Sequence, residues 1–132
     1  MANLLREKKA LGVCIKDLDI LSELKKEGYE IYLVTESVQE IINFQSSNYN
    51  KVYYFLDDYN SISFKKESFD IAILINNNCP MGEKYIKKIY SFLKKEGILY
   101  ILNFKKENKI EAKKIFDNIK EDSKENILIC QK

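Results

Sequence analysis

Lys65 to Phe104 reads KKESFDIAILINNNCPMGEKYIKKIYSFLKKEGILYILNF, and the order of patterns in it decides the fold. Ile71 to Ile75 is an unbroken apolar run of strand length, as expected for a strand buried on both faces. A polar loop leads into an amphipathic stretch that predicts a helix over Glu83 to Lys95. Gly97 is read as the helix stop, and Ile98 to Phe104 as a second buried strand. Strand, crossover helix and strand make a β–α–β unit, which places the chain in the α/β class with a parallel sheet.

Working outward, the same alternation recurs on both sides. Lys9 to Ile15 (KALGVCI) predicts strand 1. Asp17 is the expected N-cap of a helix whose inner face is Leu18, Leu21 and Leu24 and which stops at Gly28. Tyr29 to Thr35 (YEIYLVT) predicts strand 2. Ser37-x-x-Glu40 is a capping box for a second helix, with Val38, Ile41, Ile42 and Phe44 facing inward. Ser46 to Asn50 reads as a polar loop and Lys51 to Leu56 (KVYYFL) as strand 3. Asp57 to Ser68 is too short for a long crossover helix, so a turn is expected there. Asn108-x-x-Glu111 is expected to cap a last helix with Ala112, Ile115, Phe116 and Ile119 inward, before a final strand at Asn126 to Gln131 (NILICQ). The repeated LKKEG, at Leu24 to Gly28 and Leu93 to Gly97, is read as two helix stops. The whole predicts a three-layer, doubly wound, Rossmann-like sandwich around a mostly parallel sheet of about six strands. Residues 1–132 are expected to form one domain. A strand order of 3-2-1-4-5-6 follows if the last strand runs parallel to its neighbour.

The composition narrows the chemistry. A hydrophobic fraction of 45% supplies a core, and a net charge of +2 gives no electrostatic reason for a nucleic-acid partner. No apolar run has transmembrane length, and MANLLREKK lacks the apolar centre of a signal peptide, so no membrane association and a cytoplasmic location are expected. Cys14, Cys79 and Cys130 have no paired spacing, which suits a reducing compartment with each thiol a small apolar filler. The chain has no histidine. That excludes His-dependent triads, His general bases and His-containing zinc sites, and no metal is expected.

Leu56-Asp57 to Ile75 resembles the "Gly-Asp-Ala … Leu-Pro-Phe … Phe-Asp" passage of the class I S-adenosylmethionine-dependent methyltransferases. Asp57 stands at the acidic position, Phe64 at the Phe, and Phe69-Asp70 opens the fourth strand. Tyr85 to Phe104 is similar to the family's helix 4 and strand 5, with Glu96-Gly97 in place of Gly-Gly. NILICQK resembles its closing strand. The resemblance implies an S-adenosylmethionine-binding fold, usually completed by a strand 6–7 hairpin. Only one strand is read after the last helix here.

The family's cofactor loop is an acidic residue and then Gly-x-Gly-x-Gly, between strand 1 and helix 1. The aligned residues here are Ala10 and Gly12-Val13-Cys14-Ile15-Lys16, so one glycine of that motif remains and the acid is absent. Those glycines permit a tight turn and a close approach of backbone to ligand. Asp17 and Asp19 would place carboxylates on the free N–H groups of the first helix, a poor setting for an anionic ligand. The ribose-binding acid falls on Thr35, with Glu36 one place later. If S-adenosylmethionine binds, the resemblance assigns it to Gly12, Glu36, Asp57, Asp58 and Asn76. Each has a plainer reading: Glu36 as a favourable charge in a first helical turn, Asp57 and Asp58 as a solvated turn, Asn76 to Met81 as a polar loop punctuated by Pro80. Cys79 has no histidine to activate it.

Two functions follow as expectations. The first is a non-catalytic methyltransferase-like domain, a pseudoenzyme that binds or regulates through a protein surface, with no cofactor, either as a homo-oligomer or with another protein. The short segment before strand 1 and the missing insertions, which usually shape a substrate pocket, favour it. The second is a small active S-adenosylmethionine-dependent methyltransferase, completed by a partner subunit in one version. Methyl transfer needs positioning more than acid–base help, so a site without histidine is compatible with it. Leu24 to Phe44 and Phe69 to Ile89 also resemble a response-regulator receiver, with Asn where that family's phosphoryl-accepting Asp ends its strand.

Overall fold

The computed structural model describes residues 8–15, 18–45, 52–76 and 80–132. The expectations for Lys16, Asp17, Ser46 to Lys51 and Asn77 to Cys79, and for the side chains of Leu18 and Leu21, lie outside the described residues. The apolar runs become β1 (Lys8–Val13), β2 (Tyr29–Thr35), β3 (Val52–Leu56), β4 (Phe69–Ile75) and β5 (Leu93–Leu102). The amphipathic stretches become α1 (Leu18–Lys26), α2 (Val38–Gln45), α3 (Glu83–Phe92) and α4 (Lys106–Lys113), and the chain closes with β6 (Asn118–Asp122) and β7 (Ile127–Gln131).

The seven strands stand in the order β3-β2-β1-β4-β5-β7-β6. The first five are parallel, and β7 runs antiparallel between β5 and β6. The mostly parallel, Rossmann-like sheet is the expected fold, with one strand more than the six read from the sequence; because β7 is antiparallel to β5, the condition for the order 3-2-1-4-5-6 is not met. The missed strand reads NIKED; it has one apolar residue and lies at the sheet edge, so it carries no buried-strand signal. Strand order reverses between β1 and β4. Their C-terminal tips therefore flank the crevice where open α/β sheets place ligands.

Three further expectations are corrected. Helix α3 ends at Phe92, and LKKEG at Leu93 to Gly97 begins β5 with a register shift against β4. Glu96 takes φ 68° there, while Gly97 sits where a Cβ would meet the Lys94 carbonyl oxygen at 2.8 Å. Only the first LKKEG is a helix stop, with Gly28 at φ 84°. Helix α2 buries Phe44 but leaves Val38 and Ile42 exposed. Asn108 lies in the first turn of α4, and its Oδ1 accepts the Lys105 N–H (2.7 Å) from inside the helix.

One core layer lies between the sheet and α3, where Tyr85, Ile86, Ile89 and Phe92 recur on one helical face. Phe64 anchors the short β3–β4 connection there, with edge-on contacts to Phe55, Phe69 and Phe92 at ring separations of 5.5, 5.2 and 5.7 Å. Such contacts add about 0.5–1.5 kcal/mol each beyond area burial. The expected turn is a 3-10 turn at Tyr59–Ser61. A second layer, under α1 and α2, holds Ala10, Ile15, Leu24, Leu33 and Phe44. No helix among the described residues is long and apolar enough to cross a membrane.

Candidate functional site

The tip of β1 is filled by its own side chains. Gly12 lies within the strand, opposite Leu33 of β2 and Ile73 of β4. A Cβ on it would stand 2.5 Å from Ile15 Cδ1 and 3.1 Å from Leu33 Cδ1. Gly12 is thus a glycine because Ile15, 1% exposed, folds back over it. Cys14 holds the left-handed conformation (φ 64°) that suits a glycine, yet its side chain is buried at 4% exposure. Cys14 keeps a glycine-like backbone conformation, and the side chains of Cys14 and Ile15 are both buried at the tip of β1. Cys14 is also disulfide-bonded, which corrects its reading as a free apolar filler. Cys130 is a free, buried thiol, and burial pushes its pKa up to about 12.

The tips of β2 and β3 carry a different arrangement. Thr35, at the family's acidic position, is buried; its hydroxyl donates to Glu40 Oε1 (2.6 Å) and accepts the Ser37 N–H (3.1 Å). Ser37 Oγ accepts the Glu40 N–H (3.3 Å), so half of the expected capping box forms while the Glu40 carboxylate turns to Thr35. Glu36 Oε2 accepts the Tyr59 N–H (2.9 Å). Asp57 Oδ1 accepts the Asp58 N–H (2.8 Å), and Asp58 Oδ1 caps the 3-10 turn through the Asn60 N–H (3.0 Å). Tyr85 donates its phenol to the Tyr59 carbonyl (2.9 Å), tying α3 to the same turn. Burial raises the pKa of both tyrosines; at Tyr59 a hydrogen bond with Thr35 opposes the rise.

Glu36, Val38, Leu56, Asp57 and Asp58 line a shallow, open depression of about 470 Å³. The structure brings three of the sequence-derived site residues together there and leaves two apart. Gly12 is covered by Ile15. Asn76 donates its side-chain amide to Asn108 Oδ1 (2.8 Å) and the Asn103 carbonyl (3.3 Å), tying the end of β4 to α4. The sequence reading missed Val38 and Leu56 as pocket walls. Their signal was position: each is an apolar residue beside a strand-tip acid. Three carboxylates between two apolar walls accept hydrogen bonds from hydroxyl or amino groups and repel phosphate. No metal-holding group of three acidic or cysteine side chains exists among the described residues. A larger cavity, about 570 Å³, opens at the opposite end of the sheet beside Lys8, Asp70 and Gly97. It lies away from the strand tips, and Asp70 there accepts the Lys9 N–H and pairs with Lys94.

The family model described as Methyltransferase domain matches residues 19–101. The chain belongs to the methyltransferase-domain family. The solved structures agree in fold. A Burkholderia thailandensis 1,6-didemethyltoxoflavin-N1-methyltransferase, bound to 1,6-didemethyltoxoflavin and S-adenosylhomocysteine, superposes with a TM-score of 0.67 at 12% identity, over 99% of this chain and 73% of that one. An S-adenosylmethionine-dependent methyltransferase from Mesorhizobium loti gives 0.64 at 10% identity, over 72% and 46%. A methyltransferase in complex with the Trm112 activator from Haloferax volcanii gives 0.63 at 15%, over 72% and 45%. This methyltransferase-domain chain thus spans less than half the length of two of these three structures. A comparison with curated proteins finds no match.

Proposed function

We infer that this methyltransferase-like domain is non-catalytic and acts as a binding or regulatory partner of another protein or of itself. One observation carries the reading: Cys14 and Ile15 are buried at the tip of β1, where the family's glycines leave room for the amino-acid end of S-adenosylmethionine. The residues present do not fit that half of the cofactor. At the other half, Glu36 and Asp58 already serve backbone N–H groups of the β3–β4 connection. The Haloferax volcanii methyltransferase, caught with an activator, gives a precedent in this fold for work done through a protein partner. A single domain in the cytoplasm is part of this reading.

A second reading has its own observation. Glu36, Asp57 and Asp58 converge beside exposed Val38 and Leu56, an arrangement suited to the hydroxyls and amine of a nucleoside. In that case the domain is a small S-adenosylmethionine-dependent methyltransferase whose pocket a partner subunit completes. Calorimetric titration with S-adenosylmethionine and S-adenosylhomocysteine separates the two. The non-catalytic reading expects no binding at millimolar ligand. Micromolar binding that disappears in Glu36→Ala or Asp57→Ala establishes the second reading instead.

A further inference from the structure

On the α3 side of the sheet, next to the acidic depression, lies another cavity of about 260 Å³, and its walls are largely aromatic. β2 and β3 pair with Val34 against Phe55, so by alternation Tyr32, Val34 and Phe55 stand on one face of the sheet. The β3–β4 connection brings Ile62 and Phe64 to the same cavity. Tyr32 and Phe55 lie nearly parallel (16°, centroids 5.9 Å apart), and Phe64 stands at 86° to Phe55 with centroids 5.5 Å apart. Two ring planes at a right angle make a corner. Phe55 is 37% exposed, so solvent reaches it.

Asp57 lines this cavity too and carries the one charge among its described lining residues. The Asp57 Oδ1 accepts the Asp58 N–H (2.8 Å), and the Asp57 N–H donates to the Thr35 carbonyl (3.0 Å), so the carboxylate is held in place. Aromatic faces carry the negative part of the ring quadrupole and attract cations. Tyr32 already shows that attraction: Lys9 Nζ lies 5.6 Å from its ring centroid, and Lys9 is not one of the cavity's walls. A carboxylate beside the rings strengthens the preference and repels anions. A primary ammonium or a guanidinium entering the corner gives up hydrogen bonds to water that apolar walls do not replace. A quaternary ammonium has no N–H to lose, and its methyl groups pack against ring faces.

We propose that this cavity is a binding site for a methylated ammonium group, with Tyr32, Phe55 and Phe64 as its aromatic walls and Asp57 as its counter-charge. The inference goes beyond the non-catalytic reading and holds for either function, because none of the three ring residues lines the strand-tip depression.

NMR titration of the full chain tests it, read on the ring signals of Tyr32, Phe55 and Phe64. The probes are choline and a capped trimethyllysine. Each is compared with an uncharged or unmethylated counterpart: choline's carbon analogue, with tert-butyl in place of trimethylammonium, and capped lysine. Saturable shifts at millimolar ligand or below are expected for the methylated cations, with affinity about tenfold or more above either counterpart. Choline binding above trimethyllysine assigns the site to a free small molecule, and the reverse assigns it to a methylated lysine side chain; both support the proposal. Phe55→Leu keeps an apolar side chain at a partly exposed position and removes the ring. It should weaken binding about tenfold while circular dichroism stays unchanged, and Asp57→Asn should weaken it as well. No saturable shift at tens of millimolar overturns the proposal. So does equal affinity for the uncharged analogue, or unchanged affinity in Phe55→Leu. Titration with S-adenosylmethionine, followed at the Cys14 and Ile15 amides, decides the functional reading separately.

Discussion

Ile15 folds back over Gly12, with its Cδ1 2.5 Å from where a Cβ on that glycine would stand. The obstructing atom is the end of a side chain that is itself fully buried, so it can give way only by disturbing its neighbours. Gly12→Ala is expected to destabilise the fold by about 1–2 kcal/mol, an overpacking cost. Ile15→Val should relieve part of it, so the double variant should be more stable than the sum of the single losses. Denaturant melts of the four proteins in that cycle measure the coupling. Strict additivity would mean that the two residues do not touch.

Gly97 should be less forgiving. A Cβ there meets two backbone atoms, the carbonyl oxygens of Lys94 (2.8 Å) and Asp70 (3.2 Å). Neither can rotate away without breaking the bulged pairing of β4 and β5. Gly97→Ala is therefore expected to cost about 3 kcal/mol or more, above the Gly12 variant. The same melts check the ranking, and a smaller loss at Gly97 would contradict it.

Tyr85→Phe removes the hydrogen bond to the Tyr59 carbonyl. The acceptor is left buried, so a loss of about 1–3 kcal/mol is expected. The 3-10 turn carrying the Glu36 contact should loosen with it. Hydrogen exchange at the Tyr59 amide reads this directly, because that N–H is the one Glu36 accepts. Unchanged protection would separate α3 from the acidic depression.

Stability should fall in alkali, for a stated reason. Burial raises the Cys130 thiol from 9.0 to about 12, so the unfolded chain releases that proton first as the pH rises. The stabilising effect is complete below pH 9.0 and is lost progressively up to about pH 12. The slope from this one group is about 1.4 kcal/mol per pH unit. Tyr59 and Tyr85, raised in the same direction, steepen the loss at higher pH. Melting from pH 8 to pH 10 (about one unit either side of the thiol's ordinary value) should show a flatter curve for Cys130→Ala. Identical slopes in variant and wild type would refute the assignment.

Much of this was legible in the sequence, because five strands carry continuous apolar runs and parallel strands must be buried on both faces. The edge strand Asn118–Asp122 was not, since a solvated edge needs no apolar pattern. The end of α3 was misread because LKKEG serves as a helix stop at Gly28 and as a strand bulge at Gly97. Local sequence does not record that Gly97 lies against the Asp70 carbonyl of another strand. At the site, Glu36, Asp57 and Asp58 were readable as acids at the tips of adjacent strands. Their present partners were not, for the Tyr59 amide lies 23 residues from Glu36 and meets it only through the fold. Asn76 looked like a ligand-loop residue because it ends β4, and its amide instead faces Asn108, 32 residues on.

The central claim is that the tip of β1 is occupied by Cys14 and Ile15. The most direct measurement follows the backbone amide resonances of those two residues while S-adenosylmethionine is added to millimolar concentration. This account predicts that neither resonance moves. Saturable shifts at Cys14 and Ile15, with a midpoint in the micromolar range, would show the nucleoside amino acid seated there and contradict it.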